Sequence, residues 1–278
     1  MKGAADEAAG LFGPGSVAWR VDRELIVLAG GSCALLMQAA HPVVAAGVVD
    51  HSTYATDPFG RLMRTLTSSF DVVFGDRAQA DAAIRRVNAI HAAVRGRLAD
   101  GAPYSALDPE ALLWVHATLI DTALHVYGRF VEPLSAADEQ RYHEEAAQVA
   151  ARLGVAPSDL PDRLVDLRMW MEGMVDGGRV HVTPEARRVA DTVLRPIRWV
   201  PRPVWDVAHL VSFATLPDPL RRQYGIRWSA ARERGIERIA AVSRRALPLL
   251  PPRMRFAPQA RNAQRRVRQA LEAVPAIR

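Results

Sequence analysis

Cysteine is almost missing from this 278-residue chain, in which Cys33 stands alone. A disulfide framework is thereby excluded and a cysteine-built zinc site nearly so, which fits a reducing, cytoplasmic setting. Lysine is as rare: Lys2 is the one lysine among 36 basic side chains. Aromatic residues make up only 6%, and no short alternating runs rich in β-branched residues recur, so strands are not the main building element. The signatures of several enzyme classes are also absent. There is no HExxH, no Glu-x-x-His pair of the di-iron bundles, and no GxSxG. "GPGS" at 13–16 lacks the strand-turn-helix context of a nucleophile elbow, and no dinucleotide or Walker pattern follows it. The N-terminal "MKGAADEAAGLFGPGS" has no continuous apolar core and does not read as a secretory signal.

What is present is alanine, leucine, valine and arginine, with 19 prolines as punctuation. We expect a mainly α protein, one domain over 1–278, with a helical core around a buried pocket. The apolar periodicity predicts helices at about 23–40, 61–73, 77–98, 108–130, 136–153 and 159–175. Ser135 with Asp138 forms a capping-box pattern, Gly154 is placed to end the helix that follows, and Thr183-Pro184-Glu185 marks another start. The uncharged stretch from Leu25 to Val49 is long enough to span a bilayer. Gly30-Gly31-Ser32, Gln38 and His41-Pro42 interrupt it, so it reads as buried core. Repeated prolines between 195 and 219 force bends in what reads as a buried connection within the domain.

Charge is uneven. Residues 179–278 hold 21 basic and 7 acidic side chains, a balance of +14 that leaves −8 on the first 178 residues. These C-terminal arginines are interspersed with acids, as in "ARERGIERIAAVSRR", and no aromatic platform or nucleic-acid motif accompanies them. No nucleic-acid partner is expected. A solvated face, or peripheral contact with an anionic membrane, fits better.

Of eight histidines, Asp121/His125 and Glu139/His143 have spacings of four that suit either surface pairs or metal ligands, with His116 on the same helix as the first pair. His91 differs. It lies on a predicted apolar stripe with Ile84, Val87, Val94 and Leu98. An inward histidine is either a core residue satisfied by one hydrogen bond or a ligand, and an all-helical, cysteine-poor protein suits a haem iron. Upstream, Arg61 and Thr65 share a helical face whose edge meets the stripe Leu62, Leu66 and Phe70. Arg61 there is either a surface arginine covering apolar neighbours with its stem or a cation over a pocket.

The segment "WRVDRELIVLAGGSCALLMQAAHPVVAAGVVDHSTYATDPFGRLMRTLTSSFDVVFGD", followed by "VNAIHAAVRG" and "WVHATLIDTALHVYG", resembles the MpaB-type and latex-clearing rubber oxygenases. "QAAHP", "DPFGRLMRT", "VFG" and the histidine-bearing helix occur in the expected order over roughly residues 12–245. The resemblance implies a haem b protein with a globin-like core, His91 as the axial iron ligand, and Arg61 and Thr65 beside the haem, with Arg64 keeping the positive charge that rubber oxygenases carry as lysine. It implies oxygen activation on an apolar or prenylated small molecule, with dioxygen as co-substrate. The chain departs from rubber oxygenases in one respect: no acid lies between Glu24 and Asp50, and Ala45 and Ala46 stand where a distal glutamate is expected. A non-enzymatic helical protein that holds haem or an apolar ligand is the alternative.

Overall fold

The computed structural model describes residues 2–195, 201, 205–206 and 209–273. The protein is mainly α and forms a single domain. Its helices are α1 (Lys2–Ala9), α2 (Val17–Asp22), α3 (Gly31–Ala39), α4 (Pro42–His51), α5 (Pro58–Phe74), α6 (Arg77–Ala93), α7 (Pro109–Phe130), α8 (Ala136–Arg152), α9 (Leu164–Asp176) and α10 (Pro184–Val193). Then come α11 (Leu210–Thr215), α12 (Asp218–Gln223), α13 (Ala230–Ala246), α14 (Pro252–Arg255) and α15 (Pro258–Glu272). Among the described residues the sheet is one antiparallel pair, β1 (Arg95–Arg97) and β2 (Pro103–Ser105).

The apolar residues of α7 are not confined to one stripe, and a helix apolar on most sides belongs in the centre. It starts sharply because the Asp108 carboxylate accepts from the Ala111 N–H at 2.8 Å and Pro109 occupies the first turn. Trp114, Leu124, Tyr127 and Phe130 are fully buried on it. Around it pack α3, α8, α9, α11, α13 and the 3-10 turn Leu25–Gly30. Gly30 permits that last contact: a Cβ there would lie 2.7 Å from Thr122 and 2.8 Å from Val126. The break after α3 frees carbonyls that the core then satisfies, since Trp114 Nε1 donates to Met37 O and the Tyr224 hydroxyl to Leu36 O, both at 2.8 Å.

Several predicted boundaries move. The expected helix at 23–40 is divided, with a 3-10 turn at Leu25–Gly30 before α3, because the Gly30-Gly31 pair is a poor helix interior. The break at His41-Pro42 stands, with the flanking segments Leu25–Ala39 and Pro42–His51 bent by 103°. Among the described residues no single helix is long and apolar enough to cross a membrane. The predicted helix at 61–73 begins earlier, at Pro58, because Asp57 caps it; the Asp57 side chain accepts from the Gly60 N–H at 2.9 Å. That at 159–175 begins only at Leu164, since Pro157–Asp159 forms its own 3-10 turn and Pro161 follows. Ser135 caps α8 as expected, and Gly154 takes φ +101° beyond its end. Thr183 caps α10. Much of the proline-rich connection at 195–219 falls outside the described residues.

The most consequential correction concerns the stripe through His91. Helix α6 stops at Ala93, so Val94 and Leu98 are not helical and only Ile84, Val87 and His91 share its face. The reason is non-local. Arg95 pairs with Ser105, Gly96 with Tyr104 and Arg97 with Pro103, and this ladder claims the backbone that a longer helix needs.

Candidate functional site

Helices α5 and α6 form an antiparallel hairpin. Gly75 and Asp76 link them, and Asp76 with Gln79 closes a complete capping box at the start of α6. Val72, Ala83 and Ile84 pack together near the turn, and Arg86 pairs with Asp71 at 3.1 Å. About one and a half turns beyond that ion pair, towards the open end of the hairpin, lie Thr65 on α5 and His91 on α6. Arg61 lies one turn further along α5.

His91 is half-buried, its Nδ1 is shut away from solvent, and no hydrogen-bond partner reaches that atom. Loss of water around the ring pulls its pKa below the ordinary histidine value, so the imidazole is neutral at neutral pH. A neutral ring with an unclaimed nitrogen is what a metal ligand requires. The end of α6 is pinned from two sides. Gly47 of α4 lets Val94 come close, with a Cβ at Gly47 only 3.1 Å from Val94 Cγ1, and His51 Nε2 donates to the Arg95 carbonyl at 3.0 Å. The second clamp is Tyr104, a buried residue whose hydroxyl donates to Asp50 at 2.5 Å while its ring covers Gly96.

Arg61 is also half-buried. It has no acidic partner among the described residues, and burial, with the like charge of Arg64, pulls its pKa down. A desolvated guanidinium without a counter-ion is costly, and an anionic ligand would relieve that cost. Arg64 is exposed and already engaged, donating to Asp57 at 3.0 Å and to Thr53 at 2.8 Å. It holds Asp57 below the usual carboxylate range, helped by the Gly60 N–H. Thr65 is exposed, and its hydroxyl donates to the Arg61 carbonyl at 3.0 Å.

Around these groups the hairpin is apolar on the outside. Phe59 is 66% and Ile90 64% exposed, and Leu62 and Met63 are exposed beside them. Leu62 therefore does not join the core, as the stripe Leu62, Leu66, Phe70 had suggested; only Phe70 packs against the main cluster. Ala45 and Ala46 are buried, and Asp50, the next acid after Glu24, accepts from the Tyr104 hydroxyl.

The other histidine pairs do not gather into a metal centre. Asp121 and Glu139 both accept from Arg168, at 3.0 and 2.9 Å, and His143 Nε2 donates to the Pro161 carbonyl at 2.7 Å. Among the described residues no group of three or more His, Cys, Asp or Glu is placed to hold a metal ion. Two clefts, of about 510 and 480 Å³, lie elsewhere, the first beside Arg187, His209 and Arg227 and the second between Arg129, Glu139 and Glu237.

The sequence reading missed the role of Gly47, Gly96, Tyr104 and Asp50. Gly96 stood in view within "VNAIHAAVRG", three residues past the end of α6 and inside the predicted helix 77–98, and a glycine interrupting a helical pattern is a signal for close backbone approach.

The site is thus a helical hairpin carrying a neutral histidine, an unpaired arginine and an apolar rim, an arrangement suited to a flat apolar cofactor or ligand with acidic groups. The comparisons narrow the class. Residues 19–245 match the family described as "ER-bound oxygenase mpaB/B'/Rubber oxygenase, catalytic domain", and the chain belongs to that family. It is 30% identical over 236 residues to the uncharacterized protein Mb2261 of Mycobacterium bovis and to the uncharacterized protein Rv2237 of Mycobacterium tuberculosis, covering 79% of this chain and 88% of each relative. No solved structure matches. Membership in an oxygenase catalytic-domain family supports an oxidoreductase.

Proposed function

We propose that the protein is a haem b-dependent oxygenase that acts on an apolar or prenylated small molecule, and that His91 is the residue that would hold the haem iron. The observation that carries this reading is that the two helices of the α5–α6 hairpin carry, towards its open end, a desolvated imidazole with an unpartnered Nδ1 and a half-buried guanidinium without a counter-ion among the described residues. These residues fit the cofactor. A porphyrin is flat and apolar with acidic substituents, which the rim of Phe59, Leu62, Met63 and Ile90 and the cation at Arg61 complement. When bound, haem supplies redox-active iron for chemistry with dioxygen; the protein supplies orientation and electrostatics.

His91 would donate a ring nitrogen to the iron, and its low pKa keeps that lone pair free of a proton. Arg61 would neutralise acid on the cofactor or charge developing beside it. Thr65 reaches the same region once its hydroxyl leaves the Arg61 carbonyl. Arg64 contributes at longer range, because its hydrogen bonds already go to Asp57 and Thr53. The apolar side chains would exclude water and hold a hydrocarbon substrate. Cleavage of a carbon–carbon double bond balances with one dioxygen, the two alkene carbons each ending as a carbonyl. Such a reaction needs no external reductant. The buried, free Cys33 accords with a reducing, cytoplasmic setting.

The test is turnover. Haem-loaded protein incubated with isoprenoid alkenes should consume oxygen and release aldehydes or ketones, and Arg61→Ala should lower kcat/KM at least tenfold. Bound haem with no oxygen uptake and no product from any alkene would favour the non-enzymatic binding protein instead.

A further inference from the structure

Part of the positive surplus of the C-terminal part lies exposed on α13 and α14. Helix α13 turns Ile236 and Ala240 inward, against Val126 and Phe130 of α7. Arg234, Arg238, Val242 and Arg245 follow one another at spacings of four, four and three, and so form a stripe on the opposite side, with Ile239 at its border. All five are exposed. The chain then turns through a short 3-10 segment, Leu247–Leu249, that leaves Leu249 84% exposed, and α14 presents Arg253 and Met254, the latter 59% exposed.

The acids of this region are spent elsewhere. Glu233 and Glu237 both pair with Arg129 of α7, and Glu24 takes Arg255. Among the described residues Arg234, Arg238, Arg245 and Arg253 therefore have no carboxylate partner. The face interleaves free guanidinium groups with exposed Val242, Leu249 and Met254, a pattern that combines attraction to anions with an apolar surface. A nucleic-acid groove would be expected to offer aromatic platforms. Phe256, the aromatic residue of this segment, is instead engaged by Arg23 at 4.3 Å and Arg255 at 5.1 Å.

We propose that the face formed by Arg238, Val242, Arg245, Leu249, Arg253 and Met254 docks the protein on an anionic bilayer surface. The guanidinium groups meet lipid phosphates and the apolar side chains enter the interface. This inference is independent of the haem reading and does not touch its residues. It gives an enzyme for apolar molecules direct access to where such molecules collect.

Flotation of the full chain with phosphatidylcholine vesicles, with and without phosphatidylglycerol, tests it. Binding should require the anionic lipid and fall as salt rises. Replacing three guanidinium groups in Arg238→Gln/Arg245→Gln/Arg253→Gln should weaken it on the order of a hundredfold. Val242→Ser/Leu249→Ser/Met254→Ser should weaken it by roughly tenfold or more. Circular dichroism of each variant controls for folding, and Arg238→Glu alone serves if a triple variant does not fold. No binding at low salt would overturn the proposal. So would binding that the arginine variants leave unchanged, or binding that the serine variants leave unchanged while soluble polyphosphate competes it away.

Discussion

Arg61 and Arg64 are one helical turn apart, yet their surroundings give them different tasks. Arg64 is exposed, and its donors are occupied by Asp57 and Thr53, so it mainly holds the start of α5 in place. Arg61 is half-buried beside an apolar rim and carries its charge without an acid. Arg61→Ala should therefore reduce haem affinity by about tenfold or more while lowering melting temperature little or even raising it, because it removes an uncompensated charge. Arg64→Ala should do the reverse, with a modest loss of stability and near-normal haem affinity. Equilibrium haem titration beside thermal melts separates the two. The residue-type pattern of Arg61, Thr65 and His91 was legible in the sequence because two helices carry it. Burial was not, since whether a side chain at a stripe's edge is covered depends on neighbours far along the chain.

At the scale of elements, the hairpin is held at its turn and at its open end by different parts of the chain. At the turn, Arg266 of α15 donates to the Phe74 carbonyl at 2.6 Å and to the Ala8 carbonyl at 3.0 Å, tying both chain ends to the end of α5. At the open end, the β1–β2 pair fixes the chain just after His91. Gly96→Ala would put a Cβ 2.8 Å from the Tyr104 ring, so it should cost about 1–3 kcal/mol and loosen haem binding, whereas Tyr104→Phe should lose the Asp50 hydrogen bond with a smaller effect. Chemical denaturation of both variants checks the order. Helix starts such as Asp108-Pro109, Ser135 and Thr183-Pro184 were readable because a cap is a local device of three or four residues. The end of α6 was not, because the strand that stops it has its partner six to ten residues later and its support on α4. A third element contact is the buried Glu24, which accepts three hydrogen bonds of 2.7–3.0 Å from Arg255. Arg255→Ala should destabilise by about 3 kcal/mol, since it strands a buried carboxylate.

Across the whole molecule, the opposite charges of the two parts of the chain meet at a few points, Glu24 with Arg255 and Glu110 with Arg179 among them. Arg234, Arg238, Arg245 and Arg253, exposed on α13 and α14, take no part in these pairs. The interior also sets a response to acid. His41, His116, His125 and His209 are all drawn below the ordinary histidine pKa, chiefly by burial, and His116 falls to about 4 with His143 adding repulsion. The folded state thus resists taking up protons that the unfolded chain accepts. Its stability is complete above the unfolded value of 6.5 and is lost progressively as pH falls towards 4. Replacing His116 with glutamine should flatten that slope by on the order of 2 kcal/mol over the interval, as read from urea midpoints at a series of pH values.

The measurement that tests the central claim most directly is the visible absorption spectrum of the protein produced with added haem precursor, wild type beside His91→Gly, each with and without free imidazole. Wild type should show a Soret band, His91→Gly should lose or shift it, and imidazole should restore it. A wild-type protein that is folded and helical but gives no Soret band even on titration with haem would contradict the account, as would a Soret band unchanged by His91→Gly.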